Sequence, residues 1–399
     1  MRTQVGIVGA GPAGLFLAHL LQQEGIESVI LEAAPQASVE GRARAGILEY
    51  GTARLLEQAG VGTRMGREGL VHHGIVLRFG GTAHRINFAD LVDGRGVVVW
   101  GQHEVVKDLI VARRAAGADI RFEVSDVALA DIESRRPSIH FRQGGESHVV
   151  ECDVIAGCDG FHGISRPSIP PGVLQVFERL YPFAWLGIMA DAPPPADELV
   201  YAHHPSGFAL ASMRSQRIAR LYFQVSPGED LAYWSDARIW DELDQRLVGA
   251  DGGFPLAEGP VLQRGITVLR SFVVEPMRYG RLFLLGDAAH VVPPTGAKGM
   301  NLAIADAAVL ARGLTALLRT GDTSLIDRYS EVCLRRVWAA EHFSWWMTRL
   351  LHRGPFNSPF DQRRQLAELD RLVSSPAAAA ALAEAYVAGR SSRRDTASG

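Results

Sequence analysis

Three stretches of this 399-residue chain set glycine and a carboxylate at the ends of apolar runs. They are Gly9-Ala10-Gly11-Pro12-Ala13-Gly14 with Glu32 eighteen residues beyond Gly14, then Cys158-Asp159-Gly160, then Gly286-Asp287. In the first, Gly9 makes a tight turn, Gly11 lets a pyrophosphate approach the backbone, and Gly14 lets the following helix pack close to its strand. Main-chain amides at that helix start face the phosphates. Glu32 is placed to accept hydrogen bonds from a ribose. Asp159 or Asp287 alone is more often a turn residue. With the first motif beside them, the set suits a ligand with a pyrophosphate and several hydroxyls, such as FAD.

These residues need strands that deliver them to one place. Residues 4–8 read as a strand, the next stretch to about residue 24 as a helix, and 28–31 as a second strand. Residues 47–59 read as helix, and the alternation around 70–78, followed by a turn at Gly80-Gly81, as a hairpin with His72 and Arg78 on the polar face. Residues 97–100 read as a short strand and 102–116 as a helix. Residues 119–130, 138–142 and 148–152 read as a small antiparallel sheet, 154–157 as a buried strand, and 183–225 as β throughout. Two strands within 207–225 meet near 215–217. Period two puts Leu210, Ser212 and Arg214 on one face of the first and Arg220, Tyr222 and Gln224 on one face of the second. Residues 234–247 are helical, 281–285 a strand, and a Pro/Gly loop over 291–299 leads into a helix from about Asn301 to Arg319. Residues 323–352 and 360–386 are helical. The reading is an α/β fold: a Rossmann-like FAD-binding domain with a β-sheet substrate domain and C-terminal helices. Its divisions are 1–175, 176–270 and 271–388, with a disordered tail at 389–399. Parallel strands from distant parts of the chain can then bring the three motifs to one sheet edge.

Bulk properties narrow the classes. Net charge is −3, and 47% of residues are hydrophobic. With no long basic run, nucleic acid is not an expected partner. Three cysteines show neither metal spacing nor a disulfide framework, so no metal is expected and a reducing cytoplasm fits. The apolar run over 5–21 is broken by glycines and Pro12 and reads as the fingerprint rather than as a membrane span; no other span is expected.

The three motifs, the second extended through Phe161, His162 and Arg166 and the third through His290, resemble those of the single-component flavoprotein aromatic hydroxylases. Residues 42–46, 185–187, 207–210, 270–276 and 293–299 closely resemble the branch of that family that hydroxylates 4-hydroxybenzoate. The likeness runs from about residue 4 to 386.

The resemblance implies the following. The cofactor is FAD, with NADH or NADPH and O2 as co-substrates, and the product is 3,4-dihydroxybenzoate. Arg214, Ser212 and Tyr222 hold the substrate carboxylate, a role that a bidentate guanidinium with two hydroxyls can fill. Tyr201 accepts the phenol proton and passes it through Tyr386 towards a surface histidine, His72, and the Pro294 carbonyl accepts from the phenol oxygen. Arg42, Arg44 and Gln102 hold the FAD phosphates and ribityl chain. Lys298, Gly299, Met300 and Asn301 face the flavin pyrimidine, where amides and helix dipole favour negative charge, and Arg220 influences the flavin's swing between two positions. His162, Arg166 and Arg270 form a surface for the nicotinamide cofactor. Ala13 replaces a serine of relatives, with no loss of FAD binding expected. Ala33 and Ser38 stand where NADPH-specific relatives carry an arginine and a tyrosine, so NADH is expected to be accepted. A homodimer is implied. The same chemistry on another para-substituted benzoate is the alternative, and a non-catalytic FAD sensor is a remoter one.

Overall fold

A computed structural model describes residues 1–42, 46–248, 254–354 and 358–387. Arg44 and the tail at 389–399 lie outside the described residues.

Two sheets divide the work. The nucleotide sheet orders its strands Arg278–Tyr279, Leu282–Leu284, Val154–Gly157, Val5–Val8, Ser28–Leu31 and Ile120–Arg121. All pairs are parallel except the first. Val5–Val8 and Val154–Gly157 are buried along their whole length, as a parallel sheet covered on both faces requires. Helix Pro12–Gln23 lies on it, with Pro12 pre-setting the helix start. Helix Gly299–Thr320 packs against Pro12–Gln23. It is long and apolar enough to cross a membrane by length and composition, but most of its apolar stretch is buried in this core.

The pocket sheet has eight strands, ordered His290–Val291, Val261–Glu275, Gln175–Asp191, Ile218–Val225, Ala209–Met213, Leu199–Ala202, Gly74–Phe79 and Thr82–Asn87. Leu199–Ala202 and Gly74–Phe79 are parallel and the other pairs antiparallel. The hairpin at Gly80-Gly81 forms as expected, with both glycines at positive φ. It belongs to the pocket sheet, so residues 74–87 leave the first unit of the expected division. Strand Val261–Glu275, where no element was expected, runs across the boundary expected at 270.

Several elements differ from expectation. Residues 47–48 form a strand against Val97–Val99, and the helix starts only at Tyr50. Residues 120–121 join the nucleotide sheet, not the antiparallel one. The helix expected over 360–386 is two, Pro359–Ser374 and Pro376–Val387; Pro376 cannot donate to the preceding turn. Arg78 is buried, not on a solvated face, because a second layer containing Val248 covers it and accepts its hydrogen bond at 2.5 Å.

Candidate active site

The nucleotide sheet ends in a cradle built mostly from backbone. Gly9 N donates to Leu31 O at 2.8 Å, Cys158 N to Val8 O at 2.8 Å and Leu285 N to Gly157 O at 3.0 Å. Glycine turn, Glu32, Asp159 and Asp287 therefore leave the same carboxyl edge. Gly9 has φ +104°, and a Cβ on Gly14 would lie 2.1 Å from the Gly9 carbonyl oxygen. A Cβ on Gly11 would meet nothing within 4 Å, so the space over the turn is open. Buried Glu32 accepts from Ala10 N at 2.7 Å and Ala34 N at 2.9 Å, one carboxylate oxygen each. Each oxygen keeps a lone pair for a ribose hydroxyl. Ala13 is buried against the helix start.

Asp159 first holds its own loop. Its Oδ2 accepts from Ser165 N at 2.8 Å and Ser165 Oγ at 2.9 Å, while Oδ1 is buried with no partner. Burial raises its pKa. An unanswered buried acceptor at this edge fits a ligand hydroxyl. Asp287 lies half-buried in the turn Gly286–Ala288. These features fit FAD.

Beyond the cradle, Gly299 and Met300 open the helix Gly299–Thr320 with first-turn amides. Asn301 does not present its side chain to a ligand. It accepts from Glu49 N at 2.9 Å and donates to Ile47 O and Ala297 O, both at 2.9 Å, tying the 47–49 segment to the helix. Lys298 is likewise a clamp: its Nζ donates to Glu49 Oε1 at 2.6 Å, Ala385 O at 2.7 Å and Tyr386 O at 3.0 Å. Burial raises the pKa of Glu49 and Lys298 opposes that shift. The Lys298 charge is thus largely answered within the protein. Gln102 opens its helix half-buried, and Arg42, Ala33 and Ser38 are exposed.

The second pocket is built from side chains. Strand register aligns Leu77, Tyr201, Leu210, Tyr222 and Gly187 in one row, and Ser212 opposite Arg220 in the next. Facing residues on neighbouring strands share a face. A Cβ on Gly187 would lie 2.6 Å from the Tyr222 ring, so glycine there makes room for it. Arg220 Nε donates to Tyr222 Oη at 2.9 Å, and Arg220 Nη1 is buried with no partner. Arg214 Nη1 donates to Met213 O at 2.9 Å. Burial lowers the Arg214 pKa; Tyr222 opposes the shift and Arg220 adds to it. Two guanidiniums and two hydroxyls (Ser212, Tyr222) therefore converge where an anion would relieve like-charge repulsion.

At the other end of the row, Tyr201 Oη and Tyr386 Oη are 2.6 Å apart, both rings buried. Burial raises both phenols well above their ordinary value. Tyr201 also donates to Thr295 O at 3.4 Å, while the Pro294 carbonyl accepts from Ala297 N at 3.0 Å and retains one lone pair. His72 is not on the surface: it is 1% exposed, both ring nitrogens lack a partner, and burial lowers its pKa. Its backbone pairs opposite Val97, and the Glu198 and Asp197 charges oppose the effect of burial. No hydrogen bond connects it to Tyr386 among the described residues.

The three residues expected to form a nicotinamide surface lie around one ring. The Arg166 and Arg270 guanidiniums lie 4.9 and 4.2 Å from the Phe161 ring centre, and His162 meets that ring edge-on at 4.9 Å. Arg166 also donates to Ala288 O at 3.0 Å.

Sequence reasoning missed several partners. His290 Nε2 lies 2.7 Å from Asp306 Oδ2, which also accepts from Gly286 N at 3.1 Å, fixing the third motif. His352 stacks on Phe183 and Phe208 and accepts from Trp185 Nε1 at 2.6 Å, forming the wall behind Tyr222. Burial brings His352 down to about 3, so it is neutral.

A backbone cradle for a dinucleotide, with a side-chain pocket for an acidic ring beside it, defines a flavin-dependent oxygenase. The chain belongs to the FAD binding domain family, whose pattern matches residues 2–344, and FAD is its cofactor. It is 48% identical over 387 residues to the p-hydroxybenzoate hydroxylase of Acinetobacter baylyi, covering 97% of this chain and 95% of that one. It is 27% identical to the 6-methylpretetramide 4-monooxygenase of Streptomyces rimosus, over 82% of this chain and 58% of that protein. The fold is shared with p-nitrophenol 4-monooxygenase PnpA from Pseudomonas putida (TM-score 0.83, 20% identity, 98% and 99% of the two chains).

Proposed function

We propose that this enzyme hydroxylates 4-hydroxybenzoate to 3,4-dihydroxybenzoate, using FAD, O2 and NADH or NADPH. The observation that carries the reading is the aligned row Tyr201–Leu210–Tyr222 with Ser212 and Arg220 in the next. It gives an apolar slot with cations at one end and a phenol-binding hydroxyl at the other. When bound, FAD would supply the chemistry that takes electrons from NAD(P)H and delivers one oxygen atom of O2 to the ring, the other leaving as water. Arg214, Ser212 and Tyr222 hold the carboxylate and so orient the ring. Tyr201 accepts the phenol hydrogen bond and hands a proton to Tyr386, 2.6 Å away, which makes the ring electron-rich. The Pro294 carbonyl uses its remaining lone pair on the phenol oxygen. His72 takes the proton onward through a water, since both its nitrogens are available and neutral.

FAD is held by Gly9, Gly11, Ala13, Gly14, Glu32, Asp159 and Asp287, with Arg42, Arg44 and Gln102 on the phosphate and ribityl side and the 299–301 amides on the pyrimidine. The nicotinamide cofactor docks by His162, Arg166 and Arg270. The 33–38 connection carries no cation for a 2′-phosphate. Charge-assisted contacts are worth about 1.5–3 kcal/mol each, so NADH serves at least as well as NADPH. A kcat/KM for NADPH about tenfold above that for NADH would contradict this. The enzyme works in the cytoplasm, which its buried free cysteines support, and as a homodimer, which sedimentation tests. The reaction itself is tested by product identification: 3,4-dihydroxybenzoate supports it, and recovery of unchanged 4-hydroxybenzoate while NAD(P)H is consumed contradicts it.

A further inference from the structure

A cavity of ≈ 230 Å³ opens between strand Gln175–Asp191 and helices Tyr329–Leu351 and Pro359–Ser374, on the far side of the aromatic wall from Tyr222. Its floor is aromatic and buried: Tyr181, Phe183 and His352, at 5%, 6% and 2% exposure. Its rim is cationic: Arg179, Arg349 and Arg364. Arg364 is matched by Glu368 at 3.3 Å. The rim carboxylate Asp361 is committed to the helix cap, its Oδ2 accepting from Ser358 N at 3.1 Å and Oγ at 2.7 Å. Arg179 and Arg349 form no ion pair among the described residues, and their guanidiniums lie over the Tyr181 and Trp345 rings at 5.9 and 5.3 Å. At the floor, His352 has both ring nitrogens engaged, by Trp185 and by the Thr348 carbonyl. The floor thus offers flat apolar surface, and the rim offers fork-shaped donors.

We propose that this cavity is a second ligand site, taking a small aromatic carboxylate with its ring on Tyr181 and Phe183 and its carboxylate on Arg179 and Arg349. A ring of benzoate size fits within the volume and covers the aromatic floor, and an inorganic anion leaves that floor uncovered. The wall is shared with the first pocket: His352 stacks on Phe183 at 4.5 Å and on Phe208 at 4.3 Å, and Trp185 meets Tyr222 at 5.2 Å. The site does not depend on the proposed reaction, because binding here and turnover there are read separately.

The test is calorimetry of the FAD-loaded full chain with benzoate, in an Arg214→Ala background that removes the first carboxylate clamp. One benzoate per chain still binds, and adding Arg179→Ala with Arg349→Ala weakens it about thirtyfold or more. Replacing both with lysine restores part of the affinity, because the charge returns without the fork, and flavin absorbance reports that the fold is kept. Sulfate, with charge and no ring, binds about tenfold or more weaker than benzoate. No benzoate bound to the Arg214→Ala chain overturns the proposal. So does binding that ignores the alanine pair, or sulfate binding as tight as benzoate.

Discussion

The cradle and the ring pocket solve recognition by opposite means. In the cradle nearly every ligand-facing group is main chain: the turn at residues 9–14, the amides of the helix starts, and carboxylates whose positions are fixed by backbone N–H donors. In the pocket nearly every recognising group is a side chain, the Pro294 carbonyl being main chain, and the positions of those side chains follow from register across strands far apart in sequence. Backbone sites tolerate changes in side-chain chemistry and fail on added volume. Side-chain sites tolerate volume at their edges and fail on lost charge or a lost hydroxyl.

That contrast can be broken by substitution. The largest effect is expected for Arg214→Ala, which removes two charge-assisted contacts: the Kd for 4-hydroxybenzoate rises about a thousandfold while FAD affinity is unchanged. The flavin absorbance change on adding 4-hydroxybenzoate to the holoenzyme reads the first, and calorimetry of the apoprotein with FAD reads the second. If FAD were lost as well, the two regions would not be separable. Next is Gly14→Ala in the cradle. Its Cβ would lie 2.1 Å from the Gly9 carbonyl oxygen, so the apoprotein loses about 3 kcal/mol by urea titration. Gly11→Ala meets nothing within 4 Å, keeps the apoprotein stability and weakens only FAD. Tyr201→Phe then separates binding from chemistry: hydroxylation slows about a hundredfold with little change in Kd, measured by single-turnover product formation.

The smallest effect lies between the regions. Glu341 is buried, accepts from Ser271 at 2.8 Å, and burial pushes its pKa up to about 7 from 4.5. The folded state holds the proton more tightly. Its stabilising contribution is therefore complete below pH 4.5 and is lost as the pH rises through about 7. The slope is at most about 1.4 kcal/mol per pH unit. Urea midpoints at several pH values across that window should fall with pH in the parent and flatten in Glu341→Gln.

The two regions also differ in how they are written in sequence. The cradle was legible because glycine spacing, flanking strands and an acid are local signals. Asp159 and Asp287 reached the same edge because parallel strands place their carboxyl ends together. The pocket was legible only in part. Period two found the faces of Ser212, Arg214, Arg220 and Tyr222, but nothing local pairs Tyr201 with Tyr386, 185 residues apart. Burial was the least legible. His72 and Arg78 are polar residues that sequence places on the polar face of a hairpin, and packing from distant segments covers both. The His290–Asp306 pair and the His352 stack were invisible for the same reason.

The most direct test of the account joins the two regions: the rate of FAD reduction by NADH, followed anaerobically by flavin absorbance, with and without 4-hydroxybenzoate. The account predicts that 4-hydroxybenzoate accelerates reduction and that Arg214→Ala abolishes the acceleration at the same ligand concentration. A reduction rate that is the same with the ring acid present or absent would contradict it.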